Sequence, residues 1–180
     1  MCRLNKLQKT ILTFTVFLWL TVGPYLIVSV WLNNPQPFSV VASQSMFPTL
    51  KQGDLILVRG CSIAFVNDVI VFESPRNSEG EANRLIVHRI VKTNSINGTV
   101  YFQTKGDNNP YPDYWTDYRG SGYAVDGMVS NNLLVGKVAY VIPYVGTVIL
   151  FVQTPTGTTL IVVLLVIGII AEIVTQKRKS

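Results

Sequence analysis

Two cysteines and one histidine are all that 180 residues offer as soft or imidazole ligands. That is too few for a disulfide framework or a four-ligand zinc site. Charge is also scarce, at 14% of residues, against roughly 25% in an ordinary soluble domain. The chain has no internal repeat, no low-complexity tract, no long amphipathic helical pattern and no glycine fingerprint for phosphate. Asp107-x-Asn109 starts like a calcium loop but lacks the glycine and closing glutamate at the required offsets. A metalloprotein, a repeat scaffold and a nucleotide-binding α/β domain are therefore poor readings. Scarce charge beside 48% apolar residues points instead to segments that live in lipid.

The net charge of +5 suggests an acidic partner such as nucleic acid until its positions are considered. Arg3, Lys6 and Lys9 precede the first apolar run, and Lys177, Arg178 and Lys179 follow the last. Without these six, nine basic side chains face ten acidic ones. The middle of the chain is balanced, so nucleic acid is not an expected partner.

Ile11–Leu32 is a 22-residue apolar run that extends about 33 Å as a helix, enough for a hydrocarbon core of about 30 Å. It exceeds the usual apolar core of a cleavable signal peptide, and no A-x-A site follows it. It reads as an uncleaved signal anchor with Tyr25 and Trp31 at its far interface. Thr158–Thr175 reads as a second span, with Glu172 near one end. The apolar stretch Val138–Val152, broken by Pro143 and Gly146, reads as a strand followed by an interfacial segment. The flanking cations put both termini in the cytoplasm by the positive-inside rule. The resulting organisation is a cytoplasmic segment 1–10, spans at 11–32 and 158–175, an external domain at 33–157 and a cytoplasmic segment 176–180. The cell membrane is the favoured location, with the endoplasmic-reticulum membrane as the alternative.

Between the spans, short apolar or alternating runs are punctuated by Gly, Pro and Asn. Asp54–Arg59, Asp68–Glu73, Leu85–Val91, Val100–Lys105 and Gly136–Val141 read as strands. Asn97-Gly98 is a hairpin signal; the sequon it opens with Thr99 reads as a turn rather than a glycan site. Ser74–Arg84 and Gly106–Asn132 look too polar for strands, and a long segment of that kind is often functional. The class is mainly β, a small domain on two membrane helices.

Chemistry-bearing residues recur in a telling order. Ser45 stands in Ser43-Gln44-Ser45-Met46-Phe47-Pro48, about 13 residues beyond the first span. The sole histidine, His88, stands in Val87-His88-Arg89-Ile90, and Lys105-Gly106-Asp107-Asn108-Asn109 leads on to Asp113. A serine hydroxyl needs a base, a neutral imidazole serves as one, and a carboxylate fixes its tautomer. Taken singly, each piece is more often a turn or a structural residue.

Together with Gly53-Asp54 and Val141-Ile142-Pro143-Tyr144-Val145-Gly146, these motifs resemble type I signal peptidase over about residues 36–146. The likeness is to the endoplasmic-reticulum and archaeal branch, in which histidine replaces the lysine base. The resemblance implies a coiled β-barrel catalytic domain, flanked here by the two transmembrane helices. It implies a membrane serine endopeptidase that cuts signal peptides from preproteins after small P1 and P3 residues, with no cofactor. Ser45 would be the nucleophile, His88 the general base and acid, and Ser43 an aid to the Ser45 N–H at the oxyanion. Asp113 is favoured as the His88 partner with Asp107 shaping the loop, and the reverse assignment stays open. Implied partners are preprotein signal peptides, the bilayer, and other signal peptidase or secretion-channel subunits. Gln44 and Phe47 depart from the family pattern, which normally has a small and an acidic residue there. Tyr111, Tyr114, Trp115 and Tyr118 read as packing or interface anchors. The competing reading is an inactive signal-peptidase-like scaffold subunit, against which stand all four of Ser45, His88, Asp107 and Asp113.

Overall fold

The computed structural model describes residues 5–75, 84–117 and 122–179. Helix α1 (Lys6–Trp31) leads into strands β1 (Phe38–Val40), β2 (Leu55–Arg59), β3 (Val69–Glu73), β4 (Leu85–Ile96), β5 (Thr99–Lys105), β6 (Ala124–Val125), β7 (Met128–Ser130) and β8 (Leu134–Ile142). Helices α2 (Val145–Val152) and α3 (Pro155–Lys179) complete it. The strands form one antiparallel sheet in the order β1-β2-β8-β3-β4-β5-β7-β6. Bulges at Leu57/Val58, Val71/Phe72 and Ile90/Lys92 raise the local twist and curl the sheet. Among the described residues β1 and β6 do not pair with each other, so the curl is a half-barrel. The class is mainly β with two apolar terminal helices, as the pattern of the sequence predicts.

Side chains alternate across a strand, and β3 is buried on both faces. Val71 joins Val41, Met46, Leu50, Ile56 and Val58 on one side, while Ile70 and Phe72 join Ile90, Phe102 and Val129 on the other. The first of these clusters anchors the chain around Ser45, and the second underlies β4 and β5.

Three local outcomes differ from the sequence pattern. Strand β4 continues to Ile96 because it pairs with β5 around Asn97-Gly98, whose φ values of 50° and 80° suit a tight hairpin turn. The polar segment Gly106–Asn132, expected to hold no strand, contains β6 and β7. These strands span only two and three residues, too short for alternation to register; Asp126-Gly127, at φ 50° and 76°, was the available signal. Finally, α3 begins at Pro155 rather than Thr158, since the fixed φ of proline suits a first helical position.

Segments Gln8–Trp31 of α1 and Pro155–Glu172 of α3 are long and apolar enough to cross a membrane, each with mean hydropathy 2.0 and 6% buried against protein. Thr15, Thr21, Thr159 and Thr175 turn their hydroxyls onto carbonyls four residues earlier, which satisfies them inside an apolar helix. The far end of α1 is fastened to the sheet. Leu32 is fully buried, and its carbonyl accepts from Gly60 N–H at 2.9 Å. Asn34 Nδ2 donates to the Val58 carbonyl at 3.0 Å, and Trp31 stacks on Tyr140 at 5.8 Å. Ser45 therefore stands at a fixed offset from the end of α1.

Candidate active site

The segment carrying Ser45 is held by apolar neighbours. Val41, Met46 and Leu50 are at most 2% exposed, and burying side chains of this size contributes about 1.5–3 kcal/mol each. Ser43 and Gln44 stay exposed and Ser45 half-buried. Met46 is thus core, whereas Phe47 is 49% exposed. Among the described residues, the Ser45 N–H has no backbone acceptor.

His88 enters from β4. Alternation puts Ile86, His88 and Ile90 on one face and Val87 and Arg89 on the other. The packing agrees, with Ile86 and Ile90 in one apolar cluster and Val87 against its opposite. On its face, His88 places Nε2 at 3.1 Å from Ser45 Oγ and Nδ1 at 2.5 Å from Asp113 Oδ2. An ionised carboxylate only accepts, so Nδ1–H donates to Asp113 and Nε2 is left to accept from the Ser45 hydroxyl. The histidine and aspartate side chains are only 11% and 13% exposed, which limits competition from water.

Asp107 goes elsewhere. Arg89 donates to it twice, Nε to Oδ1 at 2.8 Å and Nη2 to Oδ2 at 2.7 Å, and the Thr49 hydroxyl donates to Oδ2. Arg89 Nη1 also donates to the Asn67 carbonyl at 2.8 Å. The Arg89 hydrogen bonds hold the Asp107 carboxyl below its ordinary range, and Asp107 in turn pushes the guanidinium up. This pair fixes the turn 106–109, which clamps the Ser45 segment: Asn108 N–H donates to the Ser45 carbonyl at 2.8 Å. Gly106 is needed there, because a Cβ would lie 2.6 Å from that same carbonyl oxygen.

Ser43 Oγ lies 3.1 Å from Ser45 Oγ, and with the Ser45 proton directed to His88, the Ser43 hydroxyl is the donor of that hydrogen bond. A groove of about 440 Å³ includes Ser45 and His88 in its lining, together with Ser39, Val40 and Ala42 from β1 and the residues after it, Leu85, Ile86 and Val87 from β4, and Val71 and Trp115. Lys105 sits opposite Arg89 in the β4–β5 register and is not a lining residue. Of the aromatic residues, Tyr111 and Tyr114 are 78% exposed, Trp115 packs edge-on against Phe72, and Tyr118 lies outside the described residues. Sequence reading missed Arg89, Thr49, Thr104 and Asn108. Arg89 had a signal, since it neighbours His88 on a strand and must face away from it.

No family model matches the chain. It is 33% identical over 124 residues to the signal peptidase complex catalytic subunit SEC11 of Chaetomium globosum, covering 67% of this chain and 66% of that protein. It is 30% identical over 156 residues to SEC11 of Verticillium alfalfae, covering 84% and 82%. Against the Neurospora crassa protein of the same name it is 35% identical over 124 residues, covering 67% and 66%.

Proposed function

The chain belongs to the family of signal peptidase complex catalytic subunits, and on that premise we propose that it is a membrane-bound serine endopeptidase that removes signal peptides. The observation that carries the mechanism is the row Ser45 Oγ, His88 Nε2 and Nδ1, Asp113 Oδ2, with gaps of 3.1 and 2.5 Å. Ser45 Oγ attacks the scissile carbonyl carbon as His88 Nε2 takes its proton, and Asp113 holds the imidazolium that forms. The tetrahedral oxyanion is held by the Ser45 N–H with help from the Ser43 hydroxyl. His88 returns the proton to the leaving amine, the C–N bond breaks, and water then releases the acyl group by the same route.

The walls of the groove support an extended substrate. Among the described residues strand β1 ends the sheet, so its outer edge is open to pairing with a peptide strand. Val40, Ala42 and Ile86 line the groove beside Ser45, which suits small apolar side chains at P1 and P3. In the membrane, α1 and α3 are the anchors, both termini are cytoplasmic and the sheet lies on the far side. Exposed apolar residues of β8 and α2, including Ile142, Val145 and Val148, face the outer leaflet. That arrangement sets Ser45 near the level at which a signal peptide emerges from lipid. Since the relatives are subunits of a signal peptidase complex, other subunits of such a complex are proposed partners.

The test is incubation of purified protein in detergent with a preprotein bearing an A-x-A site, followed by N-terminal sequencing of the product. Cleavage after that site, absent in Ser45→Ala, is the expected result. Signal-peptide binding without any cleavage would favour the inactive scaffold subunit instead.

A further inference from the structure

We infer that Thr104 and Trp115 form a donor relay that aims the Asp113 carboxylate at His88. Trp115 Nε1–H lies 3.0 Å from Thr104 Oγ1, and Thr104 Oγ1 lies 2.7 Å from Asp113 Oδ2. The indole nitrogen can only donate, and an ionised carboxylate can only accept. The Thr104 hydroxyl, between them, must therefore accept from Trp115 and give its single proton to Asp113. His88 Nδ1–H reaches that same Oδ2, so two donor chains, Trp115–Thr104 and Ser45–His88, converge on one carboxylate oxygen. The backbone repeats the restraint, since Asp113 N–H donates to the Thr104 carbonyl at 2.8 Å.

Thr104 is fully buried, at a position on β5 that faces Ile90 of β4. A threonine buried there without a polar task would cost free energy compared with valine, yet it forms two hydrogen bonds to residues brought in by the loop after β5. Trp115 is held in turn by its edge contact with Phe72, ring centroids 5.5 Å apart. Neither residue reaches the reacting atoms, so both are positioning residues. Their consequence for rate rests on His88 acting as the base, while their consequence for the imidazole does not.

The chain's single histidine makes the test direct. Full-length protein carrying a non-histidine affinity tag, ring-labelled with ¹⁵N at histidine, is held in detergent micelles and its imidazole nitrogens are observed. Wild type is expected to show Nδ1 protonated and Nε2 bare at neutral pH, with a far-downfield Nδ1 proton. Thr104→Val is expected to lose that signature and Thr104→Ser to restore it. Trp115→Phe, which keeps an aromatic ring but not the donor, should weaken it. With a preprotein substrate, Thr104→Val should lower kcat about 10- to 100-fold, the size of a lost hydrogen bond to a charged group, with KM within about twofold. In an Asp113→Asn background the same substitution should add no further loss. An unchanged imidazole spectrum in Thr104→Val, or an equal further loss in the Asp113→Asn background, would overturn the relay. Should Thr104→Val fail to fold, an unchanged spectrum in Trp115→Phe overturns it alone. If wild type cuts no preprotein, the proposed function fails and the His88 spectrum still decides the relay.

Discussion

His88 and Arg89 are adjacent on β4 yet hold different aspartates, His88 taking Asp113 on one face and Arg89 taking Asp107 on the other. The pleat of one strand thereby separates two carboxylates that stand six positions apart. One is placed to orient an imidazole, and the other clamps the turn behind Ser45.

The two aspartates should fail differently. Asp113→Asn should lower kcat by on the order of 10⁴-fold, as expected where a triad loses its orienting carboxylate, with little change in melting temperature. Asp107→Asn should lower the melting temperature and cost less in kcat. Steady-state kinetics beside thermal unfolding separates them, and equal kcat losses would refute the division of roles.

The Asp107–Arg89 pair also gives a pH signature. Asp107 is held below its ordinary value of 3.8, first by the Arg89 hydrogen bond. A carboxylate depressed on folding stabilises the fold above its unfolded-state value, and that stability is lost as pH falls through the folded value. The melting-temperature gap between wild type and Asp107→Asn should be widest above about pH 5 and should close on further acidification. A gap constant across that range would contradict the assignment.

Gly106→Ala should harm catalysis without touching a reacting group. Its Cβ would meet the Ser45 carbonyl oxygen at 2.6 Å and Asn109 Nδ2 at 2.8 Å, forcing the turn away from the Ser45 segment. Restoring ordinary contact needs a shift approaching about 1 Å, and a misplacement of about 1 Å costs about 10²-fold in rate. Wild-type kcat in this variant would show that the clamp is not needed.

Membrane orientation is testable in sealed vesicles with the external face outward. A C-terminal tag should be protected from added protease while the sheet domain is accessible. Digestion of the tag in intact vesicles would remove the second crossing from the proposal.

Much of the fold is legible in the sequence because strands β2, β3, β5 and β8 carry clear apolar patterns and Asn97-Gly98 marks its turn. The hairpin β6–β7 was hidden by its brevity, and the helical form of α2, expected only as an interfacial segment, by apolar residues that show neither period. Ser45 and His88 stand out through motif order. The resemblance favours Asp113 over Asp107 as the His88 partner, but the residues alone leave the reverse open, because the choice depends on which face of β4 each loop crosses. Thr104 was invisible for a similar reason: its hydroxyl matters only because the loop after β5 folds back over it.

The Ser45–His88 mechanism is tested most directly by preprotein cleavage with wild type, Ser45→Ala and His88→Ala, purified in the same detergent and shown to be equally folded. Wild type should release the mature chain at the A-x-A site, and each variant should lose that activity to the limit of detection. Normal cleavage by His88→Ala would contradict the mechanism.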